Sequence, residues 1–147
     1  MMANFLGFPR PDGGVGIRNH VAVIAAMDNV NPVARRICEQ VAGTVPVCVA
    51  YGRGQSGADL EQHDRVLINY GCHPNVAAVL IIGLEAKTAS RLAAEVAKSG
   101  RPVHWIDVQS SGGTVLTVAK GVQLALELVV NASELIRQPY PLSALGI

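Results

Sequence analysis

Short, apolar, β-branched runs alternate four times with longer segments whose apolar residues recur every three or four positions. The runs are residues 20–26 (HVAVIAA), 45–50 (VPVCVA), 77–82 (AAVLII) and 102–106 (PVHWI). Each has the length and branching of a strand, and none alternates apolar with polar residues as a half-wet sheet requires. The segments between them read as helices over 31–43, 58–71, 87–99 and 114–131. Consecutive strands separated by a helix cannot pair as hairpins. They run parallel, with right-handed crossovers that cover both faces of the sheet. The expectation is an α/β fold, a three-layer α/β/α arrangement around a mostly parallel sheet of about four strands. In strand numbering the expected order is 2-1-3-4.

The helix faces follow from the same spacing. Val30, Val33, Ala34, Ile37, Cys38 and Val41 form one inward stripe, and Pro32 suits the first turn of that helix. Leu60, Leu67 and Tyr70 form the second, and Ala89, Leu92, Ala93 and Val96 the third, which Gly100 ends. The fourth is expected to bury Val115, Val118, Ala119, Val122, Leu126 and Val129. Residues 1–147 read as a single α/β domain, with 1–19 as an N-terminal arm and 137–147 as a C-terminal extension. Pro9, Pro11, Pro139 and Pro141 lie in these ends. The ends have little to pack on, so they are expected to reach a neighbouring chain in a homo-oligomer.

Composition narrows the function classes. Half of the 147 residues are hydrophobic and 16% are charged, which excludes a disordered chain. The net charge is +1 with no basic stripe, so nucleic acid is not an expected partner. Apolar runs such as 76–82 are too short to span a bilayer, and no membrane partner is expected. Cys38, Cys48 and Cys72 are odd in number and lack ligand-like spacing, so they read as reduced thiols of a cytoplasmic protein.

Ligands of open parallel sheets bind at the strand carboxyl ends. Four strand-to-helix turns should meet there: 27–31 (MDNVN), 51–57 (YGRGQSG), 83–88 (GLEAKT) and 108–114 (VQSSGGT). Gly52, Gly54 and Gly57 allow close backbone approach, and Arg53 offers a bidentate grip on a carboxylate. The same glycines also suit a simple tight turn. GRGQSG has the GxGxxG form but follows the second strand and lacks the later acidic partner of a dinucleotide fold. Gln109, Ser110, Gly112, Gly113 and Thr114 suit either a ligand loop or a helix cap. Asp28 and Glu85 end apolar strands, where a carboxylate can take a proton or cap a helix. His63 is a candidate base or a half-buried helix histidine.

Several stretches in one order resemble the altronate/galactarate dehydratase family, which includes the large subunit of sulfolactate sulfo-lyase. They are GFPRPDGGVGIRNH (7–20), NVNPVARRI (29–37), GRGQSG (52–57), NYGCHPNVAAVLIIGLE (69–85) and QSSGGT (109–114). The resemblance implies a Rossmann-like second domain of a lyase that eliminates water or sulfite from a small hydroxy acid. It implies Arg18, Asn19, Asn29, Tyr51, Arg53, Gln55 and the 51–57 and 109–114 turns around the substrate carboxylate, with Asp28 or His63 as base. It also implies that the family's C-terminal half is supplied by a separate chain, unless this is a stand-alone relative. Relatives are iron-dependent and carry cysteines after the first three strands. Here those positions hold Asn29, Gln55 and about Ala86, Tyr51 replaces a histidine, and no residue is assigned to a metal.

Overall fold

A computed structural model describes residues 4–146. Strands β1 (Asn4–Pro9) and β2 (Val15–Gly16) lead into β3 (His20–Ala25) and α1 (Asn31–Gln40). Then come β4 (Thr44–Val47), α2 (Gly57–Gly71), β5 (Val76–Gly83), α3 (Ala86–Ala97) and β6 (Val103–Asp107). The short helix α4 (Val108–Ser111) precedes α5 (Thr114–Ser133), and β7 (Gln138–Pro141) follows. The parallel sheet has the order β4-β3-β5-β6, the expected 2-1-3-4 order.

Alternation along the central strands sends side chains to two separate cores. Val21, Val23, Ala25, Leu80 and Ile82 face α1 and α5, while Ala22, Ile24, Val79 and Ile81 face α2 and α3. Both faces are apolar, which is why these strands read as continuous hydrophobic runs. The expected stripes of α1 and α3 are buried, with Cys38 half-buried.

Two helices differ from expectation. In α2, Leu67 and Gly71 are buried while Tyr70 is exposed. Gly71 lets α2 approach Val96 of α3 closely, which turns Tyr70 outward. In α5 the buried face is Thr117, Gly121, Ala125, Leu128 and Ala132, while Val115 and Leu126 are exposed. The helix is apolar around most of its circumference, so close packing selects its small residues. It is 20 residues long, and by length and composition alone it could cross a membrane, contrary to the expectation from the shorter runs. It lies on the sheet, with 28% of its most apolar window buried.

Gly121 sets the distance between α5 and α1. A Cβ there would overlap the fully buried Ile37 side chain and come within 3.2 Å of Ile106. Gly121→Val is expected to destabilise the fold by about 1–3 kcal/mol despite better helix propensity, as read by urea unfolding.

The two ends pair with each other. β1 is the centre of an antiparallel sheet, β2-β1-β7, with Phe5 opposite Tyr140 and Leu6 opposite Pro139. The backbone groups of the N-terminal arm and the C-terminal extension thus satisfy one another. Two buried arginines fasten this unit to the amino end of the parallel sheet. Arg10 donates from Nε to the Pro74 carbonyl (2.6 Å), from Nη1 to Asn19 Oδ1 (2.9 Å) and from Nη2 to the Arg18 carbonyl (2.7 Å). Arg101 donates from Nε to the Val76 carbonyl (3.0 Å) and from Nη1 to Asp12 Oδ2 (2.6 Å).

Burial alone would raise the Asp12 carboxyl, but Arg101 and the Gly14 N–H outweigh it and hold it below its usual range. A carboxyl depressed in the folded state adds stability above its unfolded value, near pH 4, and loses it as pH falls through the folded value. The stability gap between wild type and Asp12→Asn is therefore expected to be widest near neutral pH and to close below about pH 4. Urea titrations across that range check this.

Candidate functional site

The carboxyl ends of β3, β4 and β5 open onto a cleft of about 380 Å³. Its wall includes Gly52, Arg53, Gly54 and Gln55 from the glycine turn, and Leu60, His63 and Asp64 from α2. Leu84, Glu85, Thr88 and Arg91 from the β5–α3 segment and Gln109 from α4 complete it. Gly52 is at φ +126°, and a Cβ there would come within 2.7 Å of Met27 Cβ. Only glycine lets the turn fold down against the end of β3 at this point.

Arg53 grips Asp28 through two bonds, Nε to Oδ1 at 3.0 Å and Nη2 to Oδ2 at 3.1 Å. The hydrogen bond from Arg53 holds the Asp28 carboxyl below its usual range. The arginine side chain is 65% exposed, so the pair is worth little and exchanges readily. Arg91 makes a second two-pronged pair with Asp64. Glu85 accepts from Thr88 Oγ1 at 2.9 Å. Asp28, Asp64 and Glu85 thus stand against Arg53 and Arg91, and both guanidinium groups are already engaged. Left as it stands, the cleft is not a preformed anion clamp.

His63 Nε2 lies 2.9 Å from the Ala26 carbonyl oxygen. A carbonyl only accepts, so that nitrogen carries the proton and the neutral ring keeps its lone pair on Nδ1. Gln55 Oε1 is buried, with no hydrogen-bond donor among the described residues. A ligand hydroxyl in the cleft has the chemistry to satisfy it.

The structure brings Gly52, Arg53, Gly54, Gln55, His63, Glu85 and Gln109 together, and Asp28 joins them through Arg53. Others lie elsewhere. Arg18 and Asn19 precede β3, at the opposite end of the sheet from the cleft, and Asn19 Nδ2 donates to the Ala132 carbonyl. Asn29 is exposed and outside the cleft wall, and Tyr51 points to solvent while its carbonyl accepts from the Asp28 N–H. Ser110 N–H bonds Asp107 Oδ1 in the cap of α4, Gly112 and Gly113 turn the chain, and Thr114 opens α5. Residues 108–114 are thus mostly a helix and its exit, with Gln109 on the cleft wall. Asp64, Thr88 and Arg91 belong to the cleft and went unread. Asp64 and Arg91 are 27 residues apart, and no local pattern couples them.

A larger cavity, about 500 Å³, lies at the amino end of the sheet between Pro9–Pro11 and the end of α5. Its wall is mainly apolar, and Arg10 there is spent on backbone carbonyls and Asn19. It lacks the convergent polar groups of the cleft.

The residues present do not fit an iron centre. Asn29, Gln55 and Ala86 offer no thiolate, and Cys38 and Cys72 pack against opposite faces of the sheet. Burial pushes the Cys38 thiol up, away from the thiolate a metal binds. Among the described residues no group of three or more His, Cys, Asp or Glu is placed to hold a metal.

Comparison with known proteins bears on this geometry. A family model described as D-galactarate dehydratase/altronate hydrolase, second domain, matches residues 7–133. The chain is 41% identical over 145 residues to a (2R)-sulfolactate sulfo-lyase subunit beta of Chromohalobacter salexigens, covering 97% of this chain and 36% of that one. It is 28% identical over 153 residues to an altronate dehydratase of Bacillus subtilis, covering 97% of this chain and 31% of that one. The chain thus spans about a third of the length of these curated relatives. No solved structure matches it significantly.

Proposed function

Because the chain belongs to the D-galactarate dehydratase/altronate hydrolase family, we propose that it is the second-domain part of a hydroxy-acid lyase. A further segment or a separate chain carrying the rest of the family's length completes its active site. The relative named as a subunit beta supports a separate chain. The observation that carries the reading is the convergence of His63, Gln55 and the Asp28–Arg53 pair on one cleft at the strand carboxyl ends.

The substrate is a small hydroxy carboxylate. Elimination needs a grip on the carboxylate, a base for the carbon-bound proton and help for the departing group. Arg53, exposed on its glycine turn, leaves Asp28 for the substrate carboxylate. Exchange of one carboxylate for another costs little at an exposed pair. Asp28, freed from Arg53, returns toward its ordinary value and becomes a stronger base. His63 Nδ1 is the other proton acceptor, held in orientation by the Ala26 carbonyl. Gln55 Oε1 receives a substrate hydroxyl. The complementary chain supplies the aid to the leaving group.

The test is co-expression with adjoining reading frames that encode the missing family segment, then assay on sulfolactate, altronate and galactarate. The expected result is no turnover by this chain alone and turnover by the complex. The absence of both a complex and turnover overturns the reading.

The misfit to iron favours a second reading, a carboxylate-binding or scaffold module without chemistry. It predicts carboxylate binding by calorimetry and no turnover in any complex. Stoichiometric iron in anaerobically purified protein overturns it.

A further inference from the structure

The parallel sheet ends in β4 and β6, which have no outer neighbour among the described residues. Such an edge presents unpaired N–H and C=O groups, and proteins that leave one in water blunt it. β4 is blunted. The Val21 N–H donates to the Gly43 carbonyl, so residues 43, 45 and 47 turn their polar backbone to β3, and Thr44 and Pro46 turn theirs outward. Proline has no N–H, and the edge loses its donor there. β6 is not blunted. The Val79 N–H donates to the Pro102 carbonyl, so residues 102, 104 and 106 face β5, while Val103, Trp105 and Asp107 face out. Asp107 is buried and caps α4, but Trp105, the chain's single tryptophan, is 41% exposed. Residues 102–106 include no Lys, Asp or Glu. An open edge of aromatic and β-branched residues without a charge is one that pairs.

The groups that face out choose the occupant and its register. Antiparallel strands exchange hydrogen bonds between directly opposed residues that both face the other strand. About a two-fold axis at His104, Val103 stands opposite the partner's Trp105, and Trp105 opposite the partner's Val103. Each pair exchanges two bonds. Each also sets an aromatic side chain against a β-branched one, a favourable cross-strand pair. An axis at Trp105 keeps the two bonds of Trp105 with its own copy, but sets Val103 against the buried Asp107. An axis at Ile106 sets Trp105 itself against Asp107. Val103 and Trp105 project from the face of the sheet that Val79 and Ile81 share, so the joined sheet keeps one continuous face. The strand thus carries its own complement at a symmetric spacing, which an isologous dimer requires.

We propose that the outer edge of β6 is the interface between two copies of this chain, paired antiparallel about His104 so that two four-stranded sheets become one. This does not depend on the lyase reading. It places oligomerisation on the sheet edge rather than on the terminal strands β1 and β7, which pair with each other.

Analytical ultracentrifugation of the 147-residue chain tests it. The expected result is a dimer, with tryptophan emission that shifts to the blue as concentration rises and Trp105 leaves water. Trp105→Lys removes both aromatic pairs and is expected to weaken dimerisation about tenfold with unchanged far-UV circular dichroism. Disulfide cross-linking reads the register. At the axis the two copies of residue 104 lie about 4.5 Å apart between Cα atoms, within disulfide reach. His104→Cys is therefore expected to oxidise to a covalent dimer. The copies of residue 106 lie about 14 Å apart, so Ile106→Cys stays unlinked. The wild type, with Cys38, Cys48 and Cys72, stays unlinked as well. A wild-type monomer at about 100 µM overturns the proposal, since a specific interface of ordinary affinity is saturated there. So does a dimer indifferent to Trp105→Lys, or one that links through residue 106 and not through residue 104. A monomer whose tryptophan emission shifts only when a chain carrying the rest of the family's length is added overturns it too and assigns the edge to that chain.

Discussion

Arg10→Met is expected to lower the unfolding free energy by about 3 kcal/mol, and the melting temperature by about 10 °C for a domain of this size. The methionine keeps an unbranched apolar stem but donates nothing. Three partly buried acceptors, the Pro74 and Arg18 carbonyls and Asn19 Oδ1, lose their donor together. Hydrogen bonds to a charged group contribute roughly 1.5–3 kcal/mol each, so the gross loss is larger than the net. Part of it is returned, because burial and the nearby Arg101 charge already work against the Arg10 guanidinium and pull it below its ordinary value. The loss is structural: Arg10 ties the β1–β2 hairpin to the loop before β5 and to the residues before β3. A urea-unfolding difference below about 1 kcal/mol would show that these acceptors find water instead.

The second large effect concerns activity in the assembled enzyme. His63→Gln is expected to lower kcat by about 10²–10⁴, the range for loss of a general base, with little change in KM. Glutamine can still donate from its amide to the Ala26 carbonyl, so the geometry of α2 and the stability survive. It has no basic nitrogen to stand in for Nδ1. A structural histidine would therefore be rescued by glutamine, and a base would not. Less than a tenfold loss would remove His63 from the chemistry and leave Asp28 as the base.

Much of the site was legible because topology is legible. Once four strand–helix repeats are read, Arg53, Gln55 and Glu85 must meet at the carboxyl ends of the strands. His63 was readable as a candidate only because α2 follows the glycine turn directly. Arg18 and Asn19 lie away from the cleft, since a residue just before β3 sits at the opposite end of the sheet from one just after it. The Asp64–Arg91 pair was invisible because it joins two helices that touch only when both pack on the same face of the sheet.

The sequence by itself determined the four parallel strands, the helices that cover them, the parallel order and the two-sided core. Those follow from local period, and period is a property of neighbours along the chain. Its spacing pointed to the wrong side of α5, the Val115–Leu126 stripe, because that helix is apolar on nearly every side. Tertiary packing decided the side, pressing Gly121 and Ala125 inward where only small residues fit and leaving Leu126 in water. It also decided the fate of the two ends, which hold little apolar period of their own. They found in each other the backbone partners and buried arginines that no local pattern announces.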